Sequence, residues 1–224
     1  DSLGAVMHKV SKGQATYGML RAAVQALALL LLTAGAEART LKLVALGDSL
    51  TAGYGAKPGQ GFTDQLQKAL RAKGLDVEVV NAGVSGETAA DGLARFDWSV
   101  PADTDALIVE LGANDMLRGR PPEGARQALS EILAKAAKAH IPTLLAGMKA
   151  APSLGPQYQD AFDRIYPELA AQYGVALYPF FLEGVAADGP LNQPDGLHPN
   201  AKGVAIIVER ILPAVEALLA KAKV

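Results

Sequence analysis

Leu43-Val44-Ala45-Leu46-Gly47-Asp48-Ser49-Leu50 opens with an apolar run of the length of one buried strand, breaks at a glycine, and then sets a carboxylate beside a hydroxyl. A serine at the end of a buried strand is held by rigid backbone and presented at a sheet edge, where open α/β sheets bind ligands. Outward from it, the chain repeats the same pattern. Val77 to Asn81 is a second strand, closing on Ala82-Gly83-Val84-Ser85-Gly86. Ala106 to Leu111 is a third, closing on Gly112-Ala113-Asn114-Asp115. Pro142 to Met148 is a fourth and Val175 to Tyr178 a short fifth.

Helical periodicity fills the gaps. Phe62, Leu66, Ala69 and Leu70 share one helix face, with Gly74 as a stop. Thr88 is placed to cap a helix through Leu93. Leu129, Ile132, Leu133, Ala136 and Ala137 mark another, with His140 as its carboxyl cap; a further helix runs from Tyr158 to Tyr173. The last helix carries Val204, Ile207, Val208 and Ile211, a kink at Pro213, then Val215, Leu218 and Leu219. Short continuous apolar strands alternating with helices imply a parallel sheet covered on both faces, hence a three-layer α/β/α domain.

The 224 residues, 50% of them hydrophobic, suffice for one domain with a large core. A net charge of −2, without runs of one sign, argues against a nucleic-acid partner. With no cysteine there is no disulfide, thiolate metal site or cysteine nucleophile, and separated histidines make a zinc site improbable; no cofactor or metal is implied. Residues 19–38 have the layout of a signal peptide: Met19, Arg21, an apolar run from Ala22 to Thr33, then Ala36-Glu37-Ala38 with small residues at the −3 and −1 positions. The apolar run is short of the roughly 20 residues that span a bilayer. Residues 1–18 are set aside as a leader of uncertain status. The mature, secreted chain is expected to begin near Ala38-Arg39 and to form one domain over 39–224, without a stable membrane span and with its oligomeric state open. It keeps only His140 and His198.

Four polar clusters fall at strand ends or in the last loop, and in a parallel sheet those ends share one edge. Ser49 is the candidate nucleophile, His198 its general base, and Asp195, three residues earlier, the carboxylate that orients the imidazole. The backbone N–H groups of Ser49 and Gly86 and the Asn114 side chain are the candidate oxyanion donors. Taken singly, each has a bland reading. Gly47-Asp48-Ser49 is also what a turn after a strand looks like. Asn114-Asp115 is also a helix cap, Asp195-Gly196 a turn pair, and His198-Pro199 a helix start. Asp48 is expected to bond the loop backbone, Asn81 and Gly83 to shape their loop, and Trp98 to be packing.

With these residues in hand, the chain resembles the GDSL (SGNH) hydrolases, named for Ser, Gly, Asn and His in four blocks: here Gly47 to Leu50, Gly86, Gly112 to Asp115, and Asp195 to Pro199. Within that family it is most similar to small periplasmic bacterial enzymes described as thioesterase I, protease I, lysophospholipase and arylesterase, on the stretches Leu46 to Tyr54, Asn81 to Thr88, Val109 to Gly112, Leu117 to Gly119 and Tyr178 to Phe181. The resemblance implies a flavodoxin-like fold with five parallel strands ordered 2-1-3-4-5, a Ser49–His198–Asp195 triad, and ester, thioester or lysophospholipid substrates. It also implies a mobile segment from Met116 to Pro121, so that Met116, Leu117, Arg118 and Gly119, with Asp48, become candidate substrate contacts. The third block has Ala113 where close relatives often have glycine. The Gly-x-Ser-x-Gly elbow of the α/β-hydrolases is absent, since Thr51 stands at its second glycine. No insertion is large enough for a lid, so an open, shallow groove is expected. The rival readings are a carbohydrate O-acetylesterase using the same triad, an acyltransferase, and an idle binding protein on the same fold.

Overall fold

The computed structural model describes residues 39–222; the leader and signal-peptide expectations for 1–38 lie outside the described residues. Strand β1 (Leu41–Gly47) runs directly into a one-turn helix, α1 (Ser49–Ala52), and then into α2 (Phe62–Ala72). Then follow β2 (Val77–Gly83), α3 (Ala89–Ala94), α4 (Phe96–Ser99), β3 (Ala106–Glu110), α5 (Ala113–Leu117), α6 (Pro122–Lys138) and β4 (Thr143–Ala146). The chain ends with α7 (Pro156–Asp163), α8 (Ile165–Tyr173), β5 (Ala176–Tyr178) and α9 (Ala201–Leu219).

The five strands form one sheet in the order β2-β1-β3-β4-β5, with every neighbouring pair parallel. β1 and β3 are interior strands of apolar sequence: Leu43, Val44, Ala45 and Leu46 are fully buried, as are Leu107, Ile108 and Val109 beside them. Burial on both faces removes the alternation that a half-exposed strand would show. Helices α2 and α9 pack together as one outer layer, and α3, α6 and α8 form the other. Fully burying a leucine- or phenylalanine-sized side chain stabilises by roughly 1.5–3 kcal/mol. Leu66 and Leu70 of α2, Leu129 and Ile132 of α6, and Ile211 of α9 each make that contribution.

The register places the chemistry. Gly47 is paired with Gly83 on one side and with Glu110 on the other, so the ends of β2, β1 and β3 lie abreast. Ser49, Gly86 and Asn114 each follow one of these ends within a few residues.

Several elements differ from expectation for identifiable reasons. The helix expected over Tyr158 to Tyr173 is two, because α7 starts earlier, at Pro156, and breaks at Arg164. Pro213 lies inside α9 without ending it. Thr88 does cap α3, through a reciprocal box with Asp91. His140 stops α6 with its backbone, adopting a left-handed φ of 56° and donating its N–H to Ala137 O. Trp98 is a correction: it is 83% exposed, not core packing. Its position on the short α4 turns the indole outward, while its neighbour Phe96 takes the buried place.

Candidate active site

Ser49 opens α1, and the buried Asp48 carboxylate caps that helix by accepting the Leu50 N–H at 3.0 Å. This local closure fixes the direction of the Ser49 side chain. Its Oγ lies 2.9 Å from Nε2 of His198, and Nδ1 of the same ring lies 2.7 Å from Oδ2 of Asp195. Oδ1 of Asp195 accepts the N–H groups of Leu197 at 2.9 Å and His198 at 3.0 Å. These two backbone donors and the ring hold the Asp195 carboxyl down, to about 2. A carboxylate charged at that strength requires a donor at Nδ1. That leaves Nε2 unprotonated and facing the Ser49 hydroxyl, the arrangement a general base needs.

The turn that carries Asp195 and His198 is tied down at both ends. Gln193 donates its backbone N–H to His198 O at 2.7 Å and its amide to Tyr54 O at 2.7 Å. Asn200 caps α9 through Lys202 and Gly203 and donates to Pro190 O and Asn192 O. Asn192 is itself buried and donates to Val185 O and Asp188 O. An irregular stretch between β5 and α9 thereby presents a fixed imidazole.

The other two clusters converge on the same point. Gly86 adopts φ +85°, a conformation L side chains rarely take, and turns the chain just after β2. Among the described residues no acceptor takes a hydrogen bond from the N–H of Ser49 or of Gly86. Asn114 is different. Its Nδ2 donates to Asp48 Oδ2 at 3.1 Å and to Glu87 O at 2.9 Å, so both amide hydrogens already have acceptors. Serving a new anion means exchanging one of these bonds.

Of the five residues expected to touch substrate, Asp48 is a correction. It is fully buried, and its two oxygens serve Leu50 and Asn114; it supports the site from below. Burial pushes its carboxyl up to about 6 against the pull of those donors. Met116 is also buried, whereas Leu117 is 51% exposed. Arg118 donates to Gly86 O at 2.6 Å, and Tyr158 holds Arg120 O at 2.7 Å, so the Met116 to Pro121 segment is pinned to its surroundings at two points. Asn81 does shape its loop, accepting the Gly83 N–H at 3.0 Å.

Sequence reasoning passed over three contributors. Tyr54 lies against the His198 ring, centroid to centroid 4.6 Å at a 40° tilt. Only its place in the Leu46 to Tyr54 stretch pointed to it. Arg95 pairs with Glu87 at 2.5 Å and donates to Gly47 O at 3.0 Å, joining the ends of β1 and β2; a lone arginine in a helical run gives no such signal. Glu110 closes β3 and is fully buried, although a charge ending an apolar run looks like a strand reaching water. Ser49 and His198 border a small crevice, with room for about one water molecule, backed by Tyr54 and the buried Phe62, Phe181 and Ile207.

The arrangement has counterparts in known proteins. The GDSL-like Lipase/Acylhydrolase family matches residues 45–206. Esterase TesA of Pseudomonas aeruginosa is 43% identical over 194 residues, covering 86% of this chain and 96% of that protein. Thioesterase 1/protease 1/lysophospholipase L1 of Escherichia coli K12 is 37% identical over 182 residues, covering 81% and 86%. Among solved structures, the SGNH-hydrolase family esterase AlinE4 superposes with a TM-score of 0.69 at 45% identity, over 81% of this chain and 98% of that one.

Proposed function

The chain belongs to the GDSL-like lipase/acylhydrolase family, and from that premise we propose that it is a serine hydrolase of carboxylic esters and thioesters, of the arylesterase, acyl-CoA thioesterase and lysophospholipase type, working through an acyl-enzyme on Ser49. The observation that carries the reading is the unbroken relay from Ser49 Oγ through the His198 ring to Asp195.

The chemistry follows from that relay. Ser49 Oγ attacks the acyl carbon while Nε2 of His198 takes its proton, and Asp195 stabilises the imidazolium. The carbonyl oxygen gains charge at the strand ends, where the N–H groups of Ser49 and Gly86 are open to it. Asn114 joins them by giving up one of its two present acceptors. His198 then protonates the leaving alcohol or thiol. Water enters, gives a proton to the same nitrogen and attacks the acyl carbon; the acid leaves as that proton passes to Ser49 Oγ, restoring the hydroxyl. Tyr54, which lies against the His198 ring, and Leu197, next to His198 in the chain, are each about half exposed and offer an acyl group apolar surface beside the relay.

Residues 19–38 are proposed as a signal peptide cleaved near Ala38-Arg39, delivering the domain of residues 39–224 to the periplasm. Their composition supports this.

The test is an acyl-length series of p-nitrophenyl esters from acetyl to palmitoyl, with one acyl-CoA and one lysophospholipid, on the chain from Arg39 onward and on its Ser49→Ala form. Broad Ser49-dependent activity including the thioester is expected. Activity confined to acetyl esters and acetylated sugar would replace this reading with a carbohydrate O-acetylesterase. Wild-type turnover by Ser49→Ala would end it.

A further inference from the structure

Beneath the Ser49 turn lies a charge-bearing group that the reaction does not use. Glu110 is the last residue of β3 and is fully buried. Its Oε2 is 2.7 Å from the Thr51 hydroxyl, and among the described residues its Oε1 has no hydrogen-bond partner. Asp48, also fully buried, lies one residue beyond Gly47, the β1 partner of Glu110. The fit is close: a Cβ on Gly47 would come within 2.1 Å of Thr51 Oγ1 and 2.7 Å of Glu110 Oε2. The carboxyl, the threonine and the glycine are one packed unit directly under the nucleophile.

Two buried carboxyls this near each other do not both stay ionised. The surroundings decide which one keeps the charge. Asp48 accepts from Leu50 N–H and Asn114 Nδ2 and feels His198. Glu110 faces Asp48 from the β1 turn and the buried Tyr166 phenol from α8; the Thr51 hydroxyl and the N–H groups of Asp48 and Thr51 favour its charged form, but burial and the Asp48 charge outweigh them, and among the described residues no cation faces it. β4 beside it, Thr143–Ala146, and the buried face of α6 carry no titratable residue. The nearest cation, Arg95, is engaged with Glu87 and Gly47 O.

We propose that Glu110 is a positioning residue: in its neutral form it locks Thr51 and with it the turn that presents Ser49, leaving the charge of the buried pair on Asp48, where it orients Asn114. The Thr51 hydroxyl donates to Glu110 Oε2, and a neutral carboxyl still accepts there, so the bond between them persists in the absence of charge. Burial also pushes the Glu110 carboxyl well above its ordinary range, in agreement with this assignment. Ionising it would put a second negative charge under the turn.

This inference rests on Ser49 being the nucleophile, and the experiment separates the two claims. Thermal midpoints of the wild type and Glu110→Gln are compared from pH 5 to pH 9, in the native chain and again with Ser49→Ala. The wild-type fold keeps a proton that its unfolded chain releases above its ordinary value of 4.5. Its stability therefore falls, relative to Glu110→Gln, as pH rises through that range. The expected result is a midpoint difference that grows in favour of Glu110→Gln with pH, in both backgrounds. A difference that is flat or shrinks overturns the protonation assignment, whatever Ser49 does.

Activity tests the positioning. A displacement of about 1 Å at a reacting group costs on the order of 100-fold. Glu110→Ala should lose about that much in kcat with KM little changed, while Glu110→Gln stays within about threefold of wild type at pH 7. If Glu110→Ala does not fold, Thr51→Val removes the same bond at nearly the same volume and should lower kcat about tenfold. Wild-type kcat in Glu110→Ala or Thr51→Val, or a folded Glu110→Gln as slow as Glu110→Ala, overturns the proposal.

Discussion

The two ends of the sheet treat their acidic residues in opposite ways. At the amino ends of β1 and β3, Asp103 pairs with Lys42 and Asp105 with Arg39. Asp105 also accepts the Lys42 N–H at 2.8 Å. Both carboxyls are held below their ordinary range, each chiefly by its cation's hydrogen bonds. At the carboxyl ends, Asp48, Glu110 and Asp115 are buried, and among the described residues none of them enters an ion pair. All three are pushed up, by burial first. Charges at the amino end close the fold. Charges at the carboxyl end oppose it and are retained around the reacting group, which is where perturbed carboxyls concentrate in enzymes. Asp195 is the exception that fits: exposed, held by two N–H groups, and therefore reliably charged beside His198.

The comparison is easiest to break with the relay itself. Ser49→Ala should lower kcat by about 10⁴-fold or more while leaving the midpoint of unfolding within a few degrees of wild type. A large loss of stability alongside the loss of activity would mean that the two ends are not separable. Asp195→Asn comes next. It keeps the shape but lets the wrong His198 nitrogen carry the proton, and kcat should fall by about 10²–10⁴-fold. Because Asp195 stays charged down to about pH 2, its own titration should be invisible in an acid limb of kcat/KM recorded above pH 4. A break in that limb that vanished in Asp195→Asn would show otherwise.

Arg95 is where the comparison blurs. It is an ion pair at the carboxyl end, largely buried with Glu87, and it also holds Gly47 O. Glu87 in turn gives its carbonyl to Asn114. Arg95→Gln should therefore affect both properties: about tenfold in kcat and, with a carboxylate left without its cation, about 2 kcal/mol of stability in urea titration. A change in stability alone would place Arg95 with the amino-end pairs and remove it from the site.

How much of this the sequence revealed depends on whether a residue's role is local. The apolar runs from Leu43 and from Ala106 marked their strands because burial on both faces leaves nothing else they could be. Ser49, Gly86 and Asn114 were legible because each stands at a break after a strand run, and His198 because it follows Asp195 by three residues in the last loop. Asp48 could be anticipated as a loop support, since an aspartate two residues before an N–H commonly bonds it. Its second bond, to Asn114 across 66 residues, could not. Glu110 and Arg95 acquire their roles only when β1 and β3 are set side by side in register. Trp98 misled for the converse reason: the large apolar residue of a four-residue helix is inward or outward according to tertiary contacts alone.

The smallest expected effect sharpens the comparison most, because it concerns a sign. Asp105 is held down by Arg39 and by the Lys42 N–H. Its contribution to stability is present above the ordinary aspartate value of 3.8 and is lost as pH falls below it. Arg39 is over half exposed, so solvent screens the pair and the contribution is small. Asp105→Asn should lower the midpoint by about 1–3 °C at pH 7, and the deficit should shrink on acidification below pH 3.8. Glu110→Gln moves the other way, gaining on wild type as pH rises. Plotted against pH, the first difference becomes more negative and the second more positive. Two carboxyls at opposite ends of the same strand, Ala106–Glu110, would thus pull stability in opposite directions as they titrate. If the two slopes share a sign, burial rather than pairing governs both ends, and the division of labour along β3 does not exist.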